Sequence, residues 1–113
     1  MEPRLPTQLW VKARLALWNQ QGYPAVLRRR GDDHGGTIII CVDRCNGTSI
    51  LLGQRRDFSG AIQWAALGSG EAMAAIEETE YLERATKIDR DIWVLGVEAA
   101  RDWPPLDEPV VQL

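Results

Sequence analysis

Apolar residues recur at helical spacing in the first part of the chain and then switch to strand spacing. From Thr7 to Gln21, successive steps of about 100° bring Leu9, Trp10, Ala13, Ala16 and Leu17 to one side. Val11, Leu15 and Trp18 widen that surface, and Lys12 and Asn19 mark a narrow solvent face. Thr7 can cap the start, and Gly22 with Pro24 ends the segment. A helix this apolar has to be covered over most of its girth.

Strand patterns follow. Pro24 to Arg30 reads as a first strand, and Gly31 to Gly36 has the composition of a turn. Thr37 to Arg44 is rich in β-branched residues, with Ile38, Ile39, Ile40 and Val42. Asn46-Gly47 favours a two-residue type I′ turn, because both residues tolerate positive φ. Ser49 to Arg56 is then the antiparallel partner. That turn sets Cys45 opposite Thr48, Asp43 opposite Ile50, Cys41 opposite Leu52 and Ile39 opposite Gln54. The other side would carry Ile38, Ile40, Val42, Leu51 and Gly53. Both sides of this hairpin are apolar, so each needs a cover.

Asp57 to Gly60 is a second turn, and Ala61 to Leu67 a fourth strand with Ile62, Trp64 and Ala66 on one face. After Gly68-Ser69-Gly70, a second helix runs from Glu71 to about Ile88, with acidic first turns suited to the helix dipole. Its apolar stripe is Ala74, Ala75, Tyr81, Leu82, Ala85 and Ile88. Asp89 to Asp91 turns the chain into a fifth strand, Ile92 to Glu98. Residues 99–113 hold three prolines and read as an extended tail. Trp103, Leu106, Val110 and Val111 predict that this tail docks. The expected fold is therefore α+β, in the order α-β-β-β-β-α-β: an antiparallel sheet of about five strands, two helices and the tail. Short links favour a meander followed by a crossover helix.

Length and composition fit this picture. A chain of 113 residues is expected to form a single domain, 1–113. Hydrophobic residues are 45% and charged residues 26%, ordinary globular usage. A net charge of -3 argues against a dedicated nucleic-acid or membrane binder, since both favour a basic face. Met1 to Pro6 carries Glu2 and two prolines and no apolar stretch of an export signal. No apolar run reaches membrane-spanning length. These features predict a cytoplasmic protein. Cys41 and Cys45 lie about 13 Å apart along one predicted strand, too far for a disulfide. The expectation is a core Cys41 and a turn-flanking Cys45. With one histidine, His34, the chain also lacks a metal-ligand pattern.

Three stretches carry a family resemblance. The first is Arg29-Arg30-Gly31-Asp32 followed by Gly35-Gly36. The second is Tyr81-Leu82 with Arg84, then Asp89, Asp91, Trp93, Val94 and Glu98. The third is Leu106-Asp107-Glu108-Pro109. Together they resemble the bacterial family known as domain of unknown function 1491, over nearly the whole chain. Where that pattern has proline between the two aspartates, this chain has Arg90. The resemblance implies a short bacterial cytoplasmic protein and carries no activity and no catalytic residue.

Few residues suggest chemistry. Arg14 falls inside the apolar arc of the first helix, four residues from both Trp10 and Trp18. Such an arginine lies over an indole or pairs with a carboxylate, for which Glu78 is the expected partner, or else anchors an anion. Asp89 and Asp91 either serve a cation or acid–base role or cap a helix exit and a strand entry. Strand alternation splits Arg28 and Arg30 from Arg29, which favours solvated or edge-protecting roles over phosphate binding. Asp43 could be the first acid of a metal-dependent nuclease, but Gln54-Arg55-Arg56 on the next strand supplies neither acid nor lysine. Arg30-Gly31-Asp32 and Asn46-Gly47-Thr48 match adhesion and glycosylation signals only for an exported protein. Gly68-Ser69-Gly70 lacks the lysine of a phosphate loop.

The candidate binding residues are Arg14, Arg30, Asp32, Trp64, Asp89, Asp91, Trp93 and Glu98. No residue is assigned as catalytic or as a metal ligand, and no cofactor is implied. Five tryptophans, the two-faced hairpin and the docking tail point to a non-catalytic interaction or regulatory module, with a protein partner or a second copy covering exposed apolar surface. The alternative is a small enzyme or ligand sensor that holds an anionic small molecule through its arginines. That alternative requires Arg14, the arginine strands and the two aspartates to converge on one pocket.

Overall fold

The structure, a computed structural model, describes residues 6–111. Residues 1–5, read above for export signals, and the tail end Gln112-Leu113 lie outside the described residues. Helix α1 spans Thr7–Gln20 and stops before Gly22, whose φ of 89° an L-residue with a side chain rarely adopts. Strands β1 (Ala25–Arg29), β2 (Ile38–Asp43), β3 (Thr48–Arg56) and β4 (Ile62–Ala66) follow. A two-residue strand β5, Met73–Ala74, leads into α2 (Ala75–Ile88), then β6 (Trp93–Glu98) and β7 (Val110–Val111). Helix α2 starts four residues later than the acidic run suggests, because Met73 and Ala74 pair with Ser49 and Thr48 instead.

The sheet is mixed rather than antiparallel, and among the described residues it has seven strands rather than five. Its order is β1-β6-β2-β3-β4-β7, with β5 beside β3. β6 returns from α2 and inserts between β1 and β2, parallel to β2 and antiparallel to β1. A simple meander is excluded because β1 and β2 are not neighbours. The apolar character of β2 on both faces makes it a central strand, and α2 supplies the crossover that a parallel neighbour needs. The tail adds β7 parallel to β4, where the Trp64 N–H donates to the Pro109 carbonyl at 2.8 Å.

The β2–β3 hairpin differs from its expected register by one residue. Cys41 pairs with Leu51, Val42 with Ile50, and Asp43 with Ser49. Side-chain acceptors in the turn account for the shift. Asp43 Oδ1 accepts the Cys45 N–H at 2.8 Å, and Asn46 Oδ1 accepts the Thr48 N–H at 3.0 Å. These Asx contacts favour a three-residue loop closed by Arg44 N–H to the Thr48 carbonyl, with positive φ at Cys45 and Gly47. A one-residue slip sends every β3 side chain to the other face. Ile50 and Leu52 now share a face with Ile38, Ile40 and Val42, and Leu51 joins Ile39 and Cys41. The sequence tolerates either register because Ile50, Leu51 and Leu52 are all apolar.

Both faces are covered by the chain itself over much of their area. On one face, α1 and the tail pack Val11, Trp18, Trp103, Leu106 and Val110 against Ile40, Val42, Leu52 and Trp64. On the other, α2 packs Tyr81, Leu82 and Ala85 against Ile39, Leu51, Val94 and Met73. The buried stripe of α1 is Val11, Arg14 and Trp18, not the Leu9–Ala13–Ala16 side, because the tail lies along it. Ile88 is exposed and does not extend the α2 stripe. Cys41 is buried and Cys45 exposed, both as free thiols. No helix among the described residues is long and apolar enough to cross a membrane.

The outer edge of β1 is blunted. The Asn19 side chain accepts the Ala25 N–H at 2.9 Å and donates to the Ala25 carbonyl at 2.9 Å, as a neighbouring strand would. A bulge between Leu27 and Arg29 interrupts the strand further on. Both devices oppose edge-to-edge pairing.

Candidate functional site

The sequence-derived candidates fall into separate groups. On the α1 face, Arg14 is buried and donates from Nη2 to Asp107 Oδ2 at 2.9 Å and from Nη1 to the Pro105 carbonyl at 3.1 Å. Its guanidinium carbon lies 5.2 Å from the centroid of the Trp10 ring. Trp18 Nε1 donates to the same Pro105 carbonyl at 2.7 Å. Trp64 donates to Glu108 Oε1 at 3.0 Å, and its ring stacks on Trp10 at 6.1 Å between centroids. Arg14 and Trp64 are therefore clamps on the tail segment Pro105–Pro109. The expected pairing of Arg14 with Glu78 is corrected: Glu78 sits on the opposite face and takes Arg28 and Ser49.

A second group surrounds Trp93. Its Nε1 donates to the Asp32 carbonyl at 2.8 Å and to the Gly35 carbonyl at 3.2 Å, and the Arg30 guanidinium lies 5.6 Å from its ring centroid. The Asp32 N–H donates to the Asp91 carbonyl at 3.2 Å. At Gly31 an added Cβ would stand 2.2 Å from the Asp91 carbonyl oxygen and 2.5 Å from Trp93 Cδ1. Only glycine lets the loop lie so close. Asp89 Oδ1 accepts the Asp91 N–H at 2.9 Å, the turn-capping role. Arg30, Asp32, Asp91 and Trp93 thus come together, with Asp89 bracing the turn beside them. They fasten the β1–β2 loop over the start of β6.

The arginine strand departs from simple alternation because of the bulge. Arg28 and Arg29 both reach the α2 face. Arg29 donates to the carbonyls of Arg90 and Ile92 at 3.0 and 2.6 Å, while Arg28 donates to Glu78 Oε1 at 2.6 Å.

Beside Arg28 the α2 face is left open. Helix α2 covers the sheet only as far as Ile39, Leu51 and Val94. Beyond that line lies a cleft of about 670 Å³. Strand alternation places Val26 and Arg28, Gly96 and Glu98, Cys41 and Asp43, and Ser49 around it, and Ala75 and Glu78 of α2 close one side. The cleft sits at the C-terminal ends of the parallel pair β2 and β6, where open sheets commonly offer ligand sites. Gly96 lets the Arg28 stem lie close across the sheet: a Cβ there would meet Arg28 Cδ at 3.0 Å.

The cleft wall is a closed polar network. Glu78 accepts from Arg28 and, through its other oxygen, from the buried Ser49 hydroxyl. Burial opposes the Arg28 charge, but the Glu78 hydrogen bond and charge outweigh it, so its pKa lies above the ordinary value. Burial pushes the Cys41 thiol up to about 12, against the pull of Arg28. Cys41 is thus a protonated, unreactive core thiol near neutral pH. At the cleft mouth, Cys45 is also raised, by desolvation and by Asp43 and Glu98.

Among the sequence-derived candidates only Glu98 lines this cleft. Arg14 and the Trp93 group lie elsewhere, so the convergence required for the anion-binding enzyme does not occur. Sequence reasoning missed Arg28, Ser49, Glu78 and Gly96 as a set, since no local spacing connects four elements. One signal was available: Gly96 interrupts an otherwise bulky strand, which marks a close approach or an open space.

Fold and site together define a two-helix α+β protein with one mixed sheet, internal clamps on one side and an open cleft on the other. The chain belongs to the DUF1491 family, described as protein of unknown function, whose model matches residues 5–107. A crystal structure of a DUF1491 family protein from Caulobacter crescentus is 31% identical, covers 96% of this chain and 100% of its own, and superposes with a TM-score of 0.83. An NMR structure of a DUF1491 family protein from the same organism gives 30% identity, 98% and 100% coverage and a TM-score of 0.80. A solution structure of a protein from A. tumefaciens, 20% identical over 96% of this chain and 100% of its own, shares the fold with a TM-score of 0.73. No curated protein matches the chain.

Proposed function

We propose that this protein is a non-catalytic interaction module of the bacterial cytoplasm whose partner binds in the cleft beside α2. The observation that carries this reading is the division of labour among polar residues. Those that the sequence singles out, Glu98 excepted, are engaged inside the fold, holding the tail and the β1–β2 loop. Among the described residues the cleft combines a sizeable volume, a largely apolar lining and polar groups fixed in advance. Cys41 stays protonated at its base, and the Ser49 hydroxyl is committed to Glu78, which supports binding over nucleophilic chemistry.

A second copy need not cover an open apolar sheet face, since α1, α2 and the tail already cover much of both. A second reading, capture of a small anion, is favoured only by Arg28, whose charge is already answered by Glu78.

Gly96→Val tests the proposal. The added side chain displaces the Arg28 stem, whose Cδ would stand 3.0 Å from the new Cβ, and so reshapes the cleft, while a β-branched residue suits a strand. Proteins retained from a bacterial extract by the wild-type chain and by the exposed-surface control Lys12→Ala should be lost from Gly96→Val of unchanged melting temperature. Equal retention by all three would refute the cleft as the recognition surface.

A further inference from the structure

We infer that the α1 side of the sheet is a binding site for an extended, proline-containing acidic segment. The chain's own tail fills it as a tethered ligand, and a partner protein displaces the tail with a segment of the same chemistry. This site is separate from the cleft, and it stands whether or not the cleft binds a partner.

The first ground is the nature of the segment. Trp103-Pro104-Pro105-Leu106 is followed by Asp107-Glu108-Pro109. Each proline fixes its own φ at about −65° and holds the residue before it extended. Residues 103–106 accordingly run without turn or bend. Among the described residues, 103–108 make no backbone–backbone hydrogen bond. Such a segment brings its conformation with it and has no internal bonds to lose when it leaves. It joins the sheet only at Pro109 and the two residues of β7. Ala100, Arg101 and Asp102, which connect it to β6, are exposed.

The second ground is how the segment is held. Among the described residues, every hydrogen bond to 103–108 comes from a side chain of another element. Trp18 and Arg14 converge on the Pro105 carbonyl at 2.7 and 3.1 Å. Arg14 also reaches Asp107 at 2.9 Å, and Trp64 donates to Glu108 at 3.0 Å. Pro104 is fully buried, and Leu106 packs against the cluster that holds Val11, Trp18 and Trp64. Aromatic grooves receive preformed proline-rich ligands in this way, and arginine reads the acids. These contacts depend on the chemistry of the segment and not on which chain carries it. The tether gives the chain's own tail an effective concentration of about 1 mM, which weakens a competitor of intrinsic Kd about 100 µM roughly tenfold.

Two measurements on the full chain test the inference. In native-state hydrogen exchange of the wild-type chain, the indole N–H groups of Trp18 and Trp64 should be protected roughly tenfold less, or lower still, than the amides of Ile40 and Leu95, because the tail opens on its own. Exchange of all four through global unfolding alone would overturn the inference, and this result decides even if the variant below does not fold. Leu106→Ser loosens the tail and leaves the groove intact. The ¹⁵N-labelled Leu106→Ser chain, titrated with a blocked peptide of residues 103–111, should show saturable shifts at Trp10, Arg14 and Trp64. It should bind that peptide roughly tenfold tighter than the wild-type chain does. The same peptide carrying Pro104→Ala and Pro105→Ala should bind several-fold more weakly, because its extended form is no longer fixed in advance. A missing saturable shift, or equal binding of the alanine peptide, overturns the assigned ligand. Wild-type dimers that the added peptide dissolves would make a second copy the source of the segment and overturn the partner protein.

Discussion

Arg14→Met tests whether the tail is held by the buried arginine. Methionine keeps the apolar stem and removes three things. The first is a charged hydrogen bond to the Pro105 carbonyl at 3.1 Å, worth about 1.5 kcal/mol, because Trp18 still donates to that oxygen. The second is the contact with the Trp10 ring at 5.2 Å, about 0.5 kcal/mol. The third is the ion pair with Asp107, whose side chain is 78% exposed, so solvent screening limits it to about 0.5 kcal/mol or less. The expected loss is about 2 kcal/mol, or roughly 8 °C in melting temperature for a chain of this size. Asp107→Asn should cost under about 0.5 kcal/mol. Trp18→Phe combined with Arg14→Met leaves the Pro105 carbonyl without either side-chain donor. The pair should therefore cost about 1 to 2 kcal/mol more than the two singles added. Urea unfolding followed by tryptophan fluorescence measures all four. An Arg14→Met loss below about 0.5 kcal/mol, an equal loss in Asp107→Asn, or strict additivity of the double variant would refute the clamp.

Three further outcomes follow from the geometry. Gly31→Ala should destabilise by about 2 kcal/mol or more, because its Cβ falls 2.2 Å from a backbone oxygen that cannot swing away; chemical denaturation checks it. In the native protein at pH 7 to 9 one thiol, the exposed Cys45, should react promptly with a disulfide reagent. Cys41, held protonated up to about 12, should react only on unfolding, and two fast thiols would contradict this. Asn19→Ala removes the group that occupies the Ala25 edge, so concentration-dependent association should appear in sedimentation.

The parts of the fold that the sequence discloses are those fixed by neighbours in the chain. Gly22 and Pro24 end α1 within a residue of the expected point, and the β-branched run around Ile38–Val42 lies in β2. Pairing across long separations is not written locally. Nothing in the Trp93–Glu98 pattern states that it will part β1 from β2, and Val110-Val111 becomes a strand only because β4 offers an edge. The hairpin register was lost to Asp43 and Asn46, whose side chains reshape a turn that Asn-Gly alone would make shorter. Tryptophans and aspartates drew attention to places where the chain grips itself. The cleft is made of residues with little individual signal, a glycine, a serine and a glutamate from three elements. Such a site emerges only when the sheet is assembled.

Cys45 lines the cleft and is exposed, so it serves as a native reporter there. The most direct measurement is its alkylation rate in the wild-type chain, with and without a purified protein that the chain retains. Occupancy of the cleft predicts slower alkylation as the partner saturates. An unchanged rate at saturation would place recognition on another surface.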